Sequence, residues 1–274
     1  MNNSPIAILM SAFNGEKYIA GQIRSLFDQT YKEWELYIRD DGSEDATLDI
    51  VRDLSGHDSR IHLMADSTPH RGVKESFIWL LSHVPASSYY MFCDQDDIWL
   101  PRKIEISYQA MRAAEQPNEP ILICTDLHIV DEDLNMVHDS MWKQNRTSRI
   151  IGQPENIQIA PLYTGCTMMF NESARKAILN RQPCHHIIHD QLAALTVFKE
   201  GGKIIALPDR TILYRQHSNN AIGTYTGKNY LLHRLKNIKA GMQANLSYYK
   251  IVHEFLGTSR SKFLILKIKH LLRY

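Results

Sequence analysis

The segment Tyr89–Asp97 has the sequence YYMFCDQDD, in which an apolar run is followed directly by clustered carboxylates. The run Tyr89–Cys93 is typical of a buried strand that ends at a turn. The three carboxylates within Asp94–Asp97 repel one another unless a cation or a basic group neutralises them. One interpretation is a metal site, because Mg²⁺ and Mn²⁺ take oxygen ligands and often lie between a carboxylate and substrate phosphates. The alternative is a solvated turn with a helix cap near Trp99–Ile104.

Two earlier apolar runs also end in polar turns. Ile6–Ala12 is followed by Asn14-Gly15, and Trp34–Arg39 is followed by Asp40-Asp41-Gly42-Ser43. Since ligands bind beyond the carboxyl ends of the strands in open α/β sheets, we expect the three polar clusters to share one site. Two interpretations of Asp41 stay open. It accepts a hydrogen bond from a nucleobase, or its turn only caps the next helix.

Strands and helices alternate through the first hundred residues. Apolar residues recur at helical spacing in Ile19–Phe27, Thr47–Leu54 and Phe77–Val84, and a short strand is predicted at Ile61–Met64. This alternation predicts βαβ units and a parallel sheet.

The second half of the chain is less regular, and no Gly-, Ser- or Pro-rich linker divides it. Asn171 is predicted to cap a helix that runs to Ile178, and Gly201-Gly202 to end a helix that includes Ala193–Phe198. Strands are predicted at Ile121–Thr125, Thr164–Phe170, Lys203–Leu207 and Thr211–Tyr214.

The composition is that of a globular protein. Of the 274 residues, 44% are hydrophobic and 22% are charged, which excludes wholesale disorder. No apolar run approaches the roughly 20 residues that span a bilayer. Met1–Pro5 lacks the charge and the apolar stretch of a signal peptide, so we expect a cytoplasmic location. The four cysteines form no C-x-x-C pair, which argues against a disulfide framework and a zinc ribbon.

The charge is distributed unevenly along the chain. Residues 228–274 contain ten Lys or Arg and one acidic residue, a charge of +9, and the total of +1 leaves −8 for residues 1–227. The apolar residues Leu264, Ile268, Leu271 and Leu272 fall on one helical arc of this basic tail. The tail either docks on an anionic membrane surface or packs on the domain or a second copy. Nucleic acid is disfavoured as a partner because the acidic body repels phosphate.

Six short motifs together resemble those of family 2 glycosyltransferases with the GT-A fold, and the last two resemble its bacterial rhamnosyltransferase-like branch. In chain order they are Ser11-Ala12-Phe13-Asn14-Gly15, Asp40-Asp41-Gly42-Ser43, Phe92–Trp99, Thr164–Thr167, His189-Asp190 and Tyr214–Asn220. The resemblance covers residues 5–223. It implies an α/β fold with a mostly parallel, Rossmann-like sheet flanked by helices. It also implies a nucleotide-sugar-binding half (1–100), an acceptor half (101–223) and a basic helical tail (224–274).

The resemblance also implies roles for particular residues. The nucleotide-binding residues would be Ala12, Asn14, Asp41 and Asp94. The ligands of Mg²⁺ or Mn²⁺ on the donor diphosphate would be Asp94, Asp96 and His217. Asp190 would be the general base.

Each of the later residues also has a structural interpretation. Asp190 precedes a predicted helix, where an Asp is often a cap. His217 follows an apolar strand, where a lone His is usually structural. His185 and His189 are four residues apart and, with Cys184, outline a zinc site, although exposed histidines at the rim of the site are favoured over it.

The implied function is an inverting, metal-dependent glycosyltransferase that uses dTDP-L-rhamnose, with UDP-sugars as the alternative donors. Its acceptor would be a hydroxyl of a lipid-linked or oligosaccharide precursor of a bacterial surface glycan. A nucleotidyltransferase is disfavoured because Ser11–Glu16 is not a basic, glycine-rich phosphate loop. A non-catalytic nucleotide-sugar-binding protein is disfavoured because all three carboxylates of Asp94–Asp97 are present.

Overall fold

The computed structural model describes residues 4–181, 187–217 and 238–272. The strands are β1 (Ile6–Ala12), β2 (Trp34–Asp40), β3 (Ile61–Leu63), β4 (Tyr89–Cys93), β5 (Ile98–Trp99), β6 (Ile121–Val130), β7 (Met136–His138), β8 (Met168–Asn171) and β9 (Lys203–Arg215). The helices are α1 (Ile19–Phe27), α2 (Thr47–His57), α3 (Val73–His83), α4 (Lys103–Ala114), α5 (Met141–Gln144), α6 (Glu172–Leu179), α7 (His189–Lys199), α8 (Ile238–Leu256) and α9 (Arg260–Leu272).

The strands of the described residues form one sheet in the order β3-β2-β1-β4-β8-β6-β9-β5, with β7 paired to β6 outside this path. The strand β1 is parallel to both of its neighbours, and its register places Met10 opposite Cys93 and Ala12 opposite Asp40. The first half therefore has the βαβ arrangement that the alternation predicts, and the expected α/β fold is confirmed.

The pairing in the second half is mixed, which the sequence pattern does not predict. The strand β8 is antiparallel to both β4 and β6, and β5 is antiparallel to β9. A 3-10 turn at Gly165–Thr167 replaces the first part of the strand predicted at Thr164–Phe170. Because β8 pairs with β4 on one side and β6 on the other, the two halves of the chain share one sheet.

The two strands predicted at Lys203–Leu207 and Thr211–Tyr214 are one strand, β9. The register between β6 and β9 shifts between Thr125 and Asp126, and this shift leaves Pro208-Asp209 without a partner in β6. Such a bulge tolerates proline because no ladder hydrogen bond is needed there. A break predicted from local turn residues is therefore absorbed inside a longer strand.

Two helix ends follow the predicted capping residues. Asn171 Oδ1 accepts the backbone N–H of Ala174 at 3.0 Å and caps α6. After α7, Gly201 has φ +70° and the N–H of Gly202 donates to the carbonyl of Val197 at 2.9 Å. A residue with positive φ after the last turn is typical of a helix end of this kind.

The C-terminal helices pack on the sheet domain through one face. Tyr248, Val252 and Phe255 of α8 and Phe263 of α9 are buried in the same core cluster as residues of β4 and β8. Tyr248 Oη also donates to the carbonyl of Ile157 at 2.6 Å. In the described part of the chain, no helix is long and apolar enough to cross a membrane. The domain boundary predicted at residue 223 lies outside the described residues.

Candidate active site

The site lies at the carboxyl ends of three adjacent parallel strands. The central strand β1 ends at Ala12, and Asp41 and Asp94 follow the strands on either side of it. Since neighbouring strands are about 4.8 Å apart, the strands β2 and β4 that carry these residues lie about 10 Å apart on either side of β1. Ala12 itself is fully buried, and its carbonyl accepts the N–H of Asp41 at 2.7 Å.

Reciprocal hydrogen bonds join the loop after β1 to the acidic turn after β4. The N–H of Phe13 donates to Gln95 Oε1 and Gln95 Nε2 donates to the carbonyl of Phe13, both at 2.9 Å. A side chain at Gly15 would collide with the Gln95 amide, which explains the glycine there. Gln95 is therefore a positioning residue. The sequence pattern does not predict this role, because the carboxylates are the distinctive feature of this turn.

Asn14 joins the loop after β1 to the loop after β2. Its N–H donates to Ser43 Oγ at 2.9 Å, and its Oδ1 accepts the N–H of Glu44 at 2.9 Å. Its φ of +47° is in the left-handed region, which Asn adopts more readily than most residues. The side chain of this predicted nucleotide-binding residue therefore organises the loops around the pocket. Just before α2, Asp45 Oδ1 accepts the N–H of Thr47, the first residue of the helix, at 3.0 Å.

Asp41 is held by hydrogen bonds from β2 and from the segment that precedes α3. Its Oδ1 accepts from Arg39 Nη1 at 2.7 Å and from the N–H of Arg71 at 2.8 Å, and its Oδ2 accepts the N–H of Gly72 at 2.8 Å. Arg39 is fully buried and also pairs with Asp66. Burial alone would raise the pKa of Asp41, but these hydrogen bonds outweigh it and hold the pKa below its usual value. Asp41 is thus a fixed carboxylate in which about one lone pair, on Oδ2, is left for a further donor.

Two aromatic side chains lie beside this carboxylate. Phe13 is 46% exposed, which is unusual for so large an apolar residue next to a core strand. Its ring meets that of His70 edge to face, with centroids 5.9 Å apart. The backbone N–H of His70 in turn donates to the carbonyl of Asp41 at 2.9 Å. Phe13 and His70 are therefore candidate contacts for a planar base, and the exposed Phe13 is the feature that identifies them.

The acidic turn concentrates negative charge in a partly buried position. Oxygens of Asp94 and Asp97 and the sulfur of Cys166 lie within 4.8 Å of one another. Burial, followed by the nearby charges of Asp96 and Asp190, raises the pKa of Asp94 to about 7. Burial likewise raises the pKa of Asp97 well above its usual value. A solvated turn, the alternative considered from the sequence, is therefore wrong for Asp97, which is fully buried.

Asp96 and His217 are brought together from distant parts of the chain. His217 Nε2 lies 2.8 Å from Asp96 Oδ2, and both side chains are largely shielded from solvent. The ring of Tyr18 stacks on that of His217 with centroids 4.8 Å apart. The guanidinium of Arg215 lies over the ring of Tyr18, 4.7 Å from its centroid, and Arg215 Nε donates to the carbonyl of Asp96 at 2.8 Å. Tyr18 lies between the predicted turn at Asn14-Gly15 and α1, and no local pattern distinguishes it.

Asp190 is a buried carboxylate in the first turn of α7. Its Oδ2 accepts the N–H of Gly165 at 3.2 Å, and its Oδ1 accepts the N–H of Gln191 at 2.6 Å. Burial raises the pKa of Asp190 to about 6 despite these hydrogen bonds. Its charge in turn acts on Asp94, and Gly165, which donates to it, adjoins Cys166, whose sulfur lies near Asp94 and Asp97. A carboxylate whose pKa is this near neutrality is suited to take up a proton.

His189 is buried, so the expectation of an exposed histidine is wrong at this position. Its ring stacks on Phe77 with centroids 4.1 Å apart, and burial lowers its pKa to about 3. Neither ring nitrogen has a hydrogen-bond partner among the described residues. A neutral ring enclosed in this way fills space beneath Asp190. Cys184 and His185, the other members of the zinc alternative, lie outside the described residues.

The donor set fits a hard divalent cation. Carboxylate oxygens with raised pKa values crowd at one point, and a cation would relieve their mutual repulsion. Burial also raises the pKa of the Cys166 thiol, which keeps that sulfur protonated. Since Mg²⁺ and Mn²⁺ prefer oxygen over sulfur, the carboxylates rather than the thiol are the candidate ligands.

Comparison with known proteins identifies relatives for most of this architecture. A sequence model of the family Glycosyl transferase family 2 matches residues 7–179. One relative is UDP-Glc:alpha-D-GlcNAc-diphosphoundecaprenol beta-1,3-glucosyltransferase WfgD of Escherichia coli, which is 33% identical over 111 residues. This match covers 40% of this chain and 42% of that protein. A longer match, 26% identical over 226 residues, is to dTDP-rhamnosyl transferase RfbG of Shigella flexneri and covers 78% of this chain and 73% of that one.

Solved structures share the fold over almost the whole chain. S. aureus TarS 1-349 in complex with UDP-GlcNAc aligns with a TM-score of 0.61 at 18% identity and covers 96% of this chain and 76% of that chain. Mannosyltransferase PcManGT from Pyrobaculum calidifontis, in complex with GDP-Man and Mn²⁺, aligns with a TM-score of 0.65 at 15% identity and covers 97% and 69%. At these identities the likeness concerns the fold.

Proposed function

The chain belongs to glycosyl transferase family 2, and we propose that it transfers a sugar from a nucleoside diphosphate donor to a hydroxyl group with inversion at the anomeric carbon. The observation that supports this most strongly is the proximity of two kinds of carboxylate. Asp190, whose pKa burial raises to about 6, is near enough to the crowded acidic turn for its charge to act on Asp94, and the Gly165-Cys166 segment contacts both. One side is suited to accept a proton and the other to hold a leaving group through a cation.

The proposed chemistry is a single displacement. As the acceptor oxygen forms its bond to the anomeric carbon, Asp190 takes the proton of that hydroxyl. The bond between the anomeric carbon and the diphosphate oxygen breaks, and the leaving nucleoside diphosphate keeps the electron pair. The hydrogen bonds from Gly165 and Gln191 fix the carboxylate of Asp190 so that it does not need to reorient.

Asp94 and Asp96 would hold Mg²⁺ or Mn²⁺, with His217 beside Asp96. When bound, this cation would neutralise the charge that develops on the diphosphate. His217 is held in place by its contact with Asp96 and by the ring of Tyr18. Its position at the end of β9 would bring the second half of the chain to the donor.

Asp41 would accept a hydrogen bond from the donor base. Its fixed orientation, given by Arg39 and the backbone of Arg71 and Gly72, supports this assignment. The exposed ring of Phe13 and the neighbouring His70 would contact the face of the base. Asn14 would contribute by shaping the loop rather than by direct contact.

For the donor we propose dTDP-L-rhamnose, with UDP-sugars as the alternative. The long match to the rhamnosyl transferase supports the first, and the match to the glucosyltransferase WfgD supports the second. The acceptor we propose is a lipid-linked or oligosaccharide precursor of a bacterial surface glycan. A cytoplasmic location stays a prediction.

A donor screen tests the proposal. The full chain is incubated with dTDP-rhamnose, UDP-glucose, UDP-N-acetylglucosamine or GDP-mannose, with Mn²⁺ or with excess EDTA, and nucleoside diphosphate release is measured. We expect at least one donor to release its nucleoside diphosphate, and we expect this release to require the metal. A chain that binds these donors but releases nothing, with or without candidate acceptors, would instead be a binding protein. In a separate incubation with a nucleoside triphosphate and a sugar 1-phosphate, release of pyrophosphate would indicate a nucleotidyltransferase.

A further inference from the structure

The helix α9 has an exposed apolar strip on the side that faces away from the domain. Leu264, Ile265 and Ile268 are each at least half exposed. At 100° per residue, these three side chains fall within about 100° of the helix circumference. Apolar residues that are exposed in such a contiguous strip indicate a surface that binds a partner or a membrane.

The opposite side of α9 is held against the protein. Phe263 is buried, and its ring meets that of Tyr249 edge to face at 5.2 Å. Leu266 packs against the same core cluster. Lys267 Nζ donates to Asn245 Oδ1 at 2.8 Å and ties α9 to α8. The exposed strip is therefore presented in a fixed orientation, and packing on the domain does not account for it.

Basic residues flank the strip on both sides. On the helix circumference, Lys262 and Lys269 lie beyond Ile265, whereas Arg260 and Lys267 lie beyond Leu264. The helix contains no acidic residue, and Glu254 is the only one between Ile238 and Leu272. An apolar strip between two rows of cations is complementary to a surface that has anionic groups outside and hydrocarbon beneath them.

From this arrangement we propose that α9 docks the enzyme on a membrane surface rich in anionic lipid, with Leu264, Ile265 and Ile268 entering the headgroup boundary. Two other occupants fit less well. Two copies of the chain would bring like charges together across the strip. Nucleic acid would satisfy the lysines but would leave the apolar side chains without a partner. The proposal does not depend on the identity of the donor or on the role of Asp190.

Vesicle co-sedimentation of the full chain tests the proposal. The probes are vesicles of phosphatidylglycerol mixed with phosphatidylcholine, and vesicles of phosphatidylcholine alone. We expect binding to the first, weak binding to the second and a loss of binding in 0.5 M salt. The double variant Lys262→Gln, Lys269→Gln is expected to bind about 25-fold more weakly, or about fivefold for each lysine. The triple variant Leu264→Ser, Ile265→Ser, Ile268→Ser is expected to lose at least about tenfold.

The matched control removes the same charge from the body of the protein. Arg52→Gln with Lys176→Gln changes two exposed cations and is expected to bind like the wild type. The proposal is overturned if the wild type does not sediment with anionic vesicles, or if the serine variant binds as well as the wild type. If the wild type is dimeric, and the serine variant is monomeric but binds vesicles as the wild type does, the strip is the contact surface for a second copy of the chain. Donor turnover without vesicles is measured for each variant and should not change, which separates this proposal from the proposed function.

Discussion

Replacing Asp190 by Asn should separate catalysis from stability, because the ionised carboxylate is useful for proton transfer and costly to bury. With a pKa of about 6, Asp190 is about 90% ionised at pH 7. Asn keeps the shape of the side chain but cannot take up the proton of the acceptor. Turnover is therefore expected to fall about 10²–10⁴-fold, while donor affinity changes little. For the wild type, turnover should fall as the pH drops through about 6.

The same substitution is expected to increase the free energy of unfolding at neutral pH. The pKa of Asp190 is about 6 in the folded protein and 3.8 as its ordinary value, so the folded state binds this proton more tightly than the unfolded chain. The buried group therefore costs nothing below about pH 4, and its cost grows as the pH rises to about 6. The difference between the two pKa values corresponds to about 3 kcal/mol, which is the upper limit of the gain.

Urea unfolding at pH 8 and pH 4, together with nucleoside diphosphate release, measures both effects. The control is Asp53→Asn, which changes a carboxylate that is 72% exposed and should alter neither quantity. We expect Asp190→Asn to be more stable than the wild type at pH 8 and equal to it at pH 4. Near-normal turnover would show that Asp190 is only a helix cap. Lower stability at pH 8 would show that its two backbone hydrogen bonds outweigh the cost of burial.

Three further substitutions test other parts of the account. Asp96→Asn should remove the Mn²⁺ dependence of dTDP binding in calorimetry with little change in the urea midpoint; an unchanged Mn²⁺ dependence would contradict the metal assignment. Arg39→Met leaves the buried Asp41 without its cation and Asp66 with Arg71 as its remaining partner, and should cost about 3–5 kcal/mol in urea unfolding; a loss below 1 kcal/mol would contradict this. Gly165→Ala places a Cβ 2.8 Å from His189 Nε2 and should cost about 1–3 kcal/mol and lower turnover. Gly152→Ala, whose Cβ meets nothing within 4 Å, is its control.

The first half of the fold could be predicted because its signals are local. Each strand from β1 to β4 is an apolar run that ends in turn residues, and each following helix repeats its apolar residues at helical spacing. The observed bounds of these strands differ from the predicted ones by one residue at most. The position of Asp41 and Asp94 on one edge follows from this alternation alone.

The fold of the second half could not be predicted in the same way, because it depends on pairing between segments that are distant in the sequence. The periodicity of apolar residues carries no information about such pairing. The local sequence at Pro208-Asp209 predicts a turn between two strands. Pairing with the long strand β6 instead makes these residues a bulge within one strand. The antiparallel insertion of β8 likewise has no local signature.

The details of the site were hidden for the same reason. Tyr18 and His217 stack although they come from opposite ends of the domain, and Gln95 acts through its amide within a turn that attracts attention for its carboxylates. The resemblance of short motifs predicts roles for particular carboxylates. It did not indicate what positions them.

The anomeric configuration of the product tests the central claim most directly. In this account Asp190 activates the attacking hydroxyl opposite the leaving diphosphate, so a single displacement must invert the anomeric centre. Without an acceptor, water can take its place, and proton NMR can identify the first anomer of free sugar that the full chain releases from a cleaved donor. We expect the inverted anomer to appear first and then to equilibrate with the other anomer. Initial release of the retained anomer would contradict it.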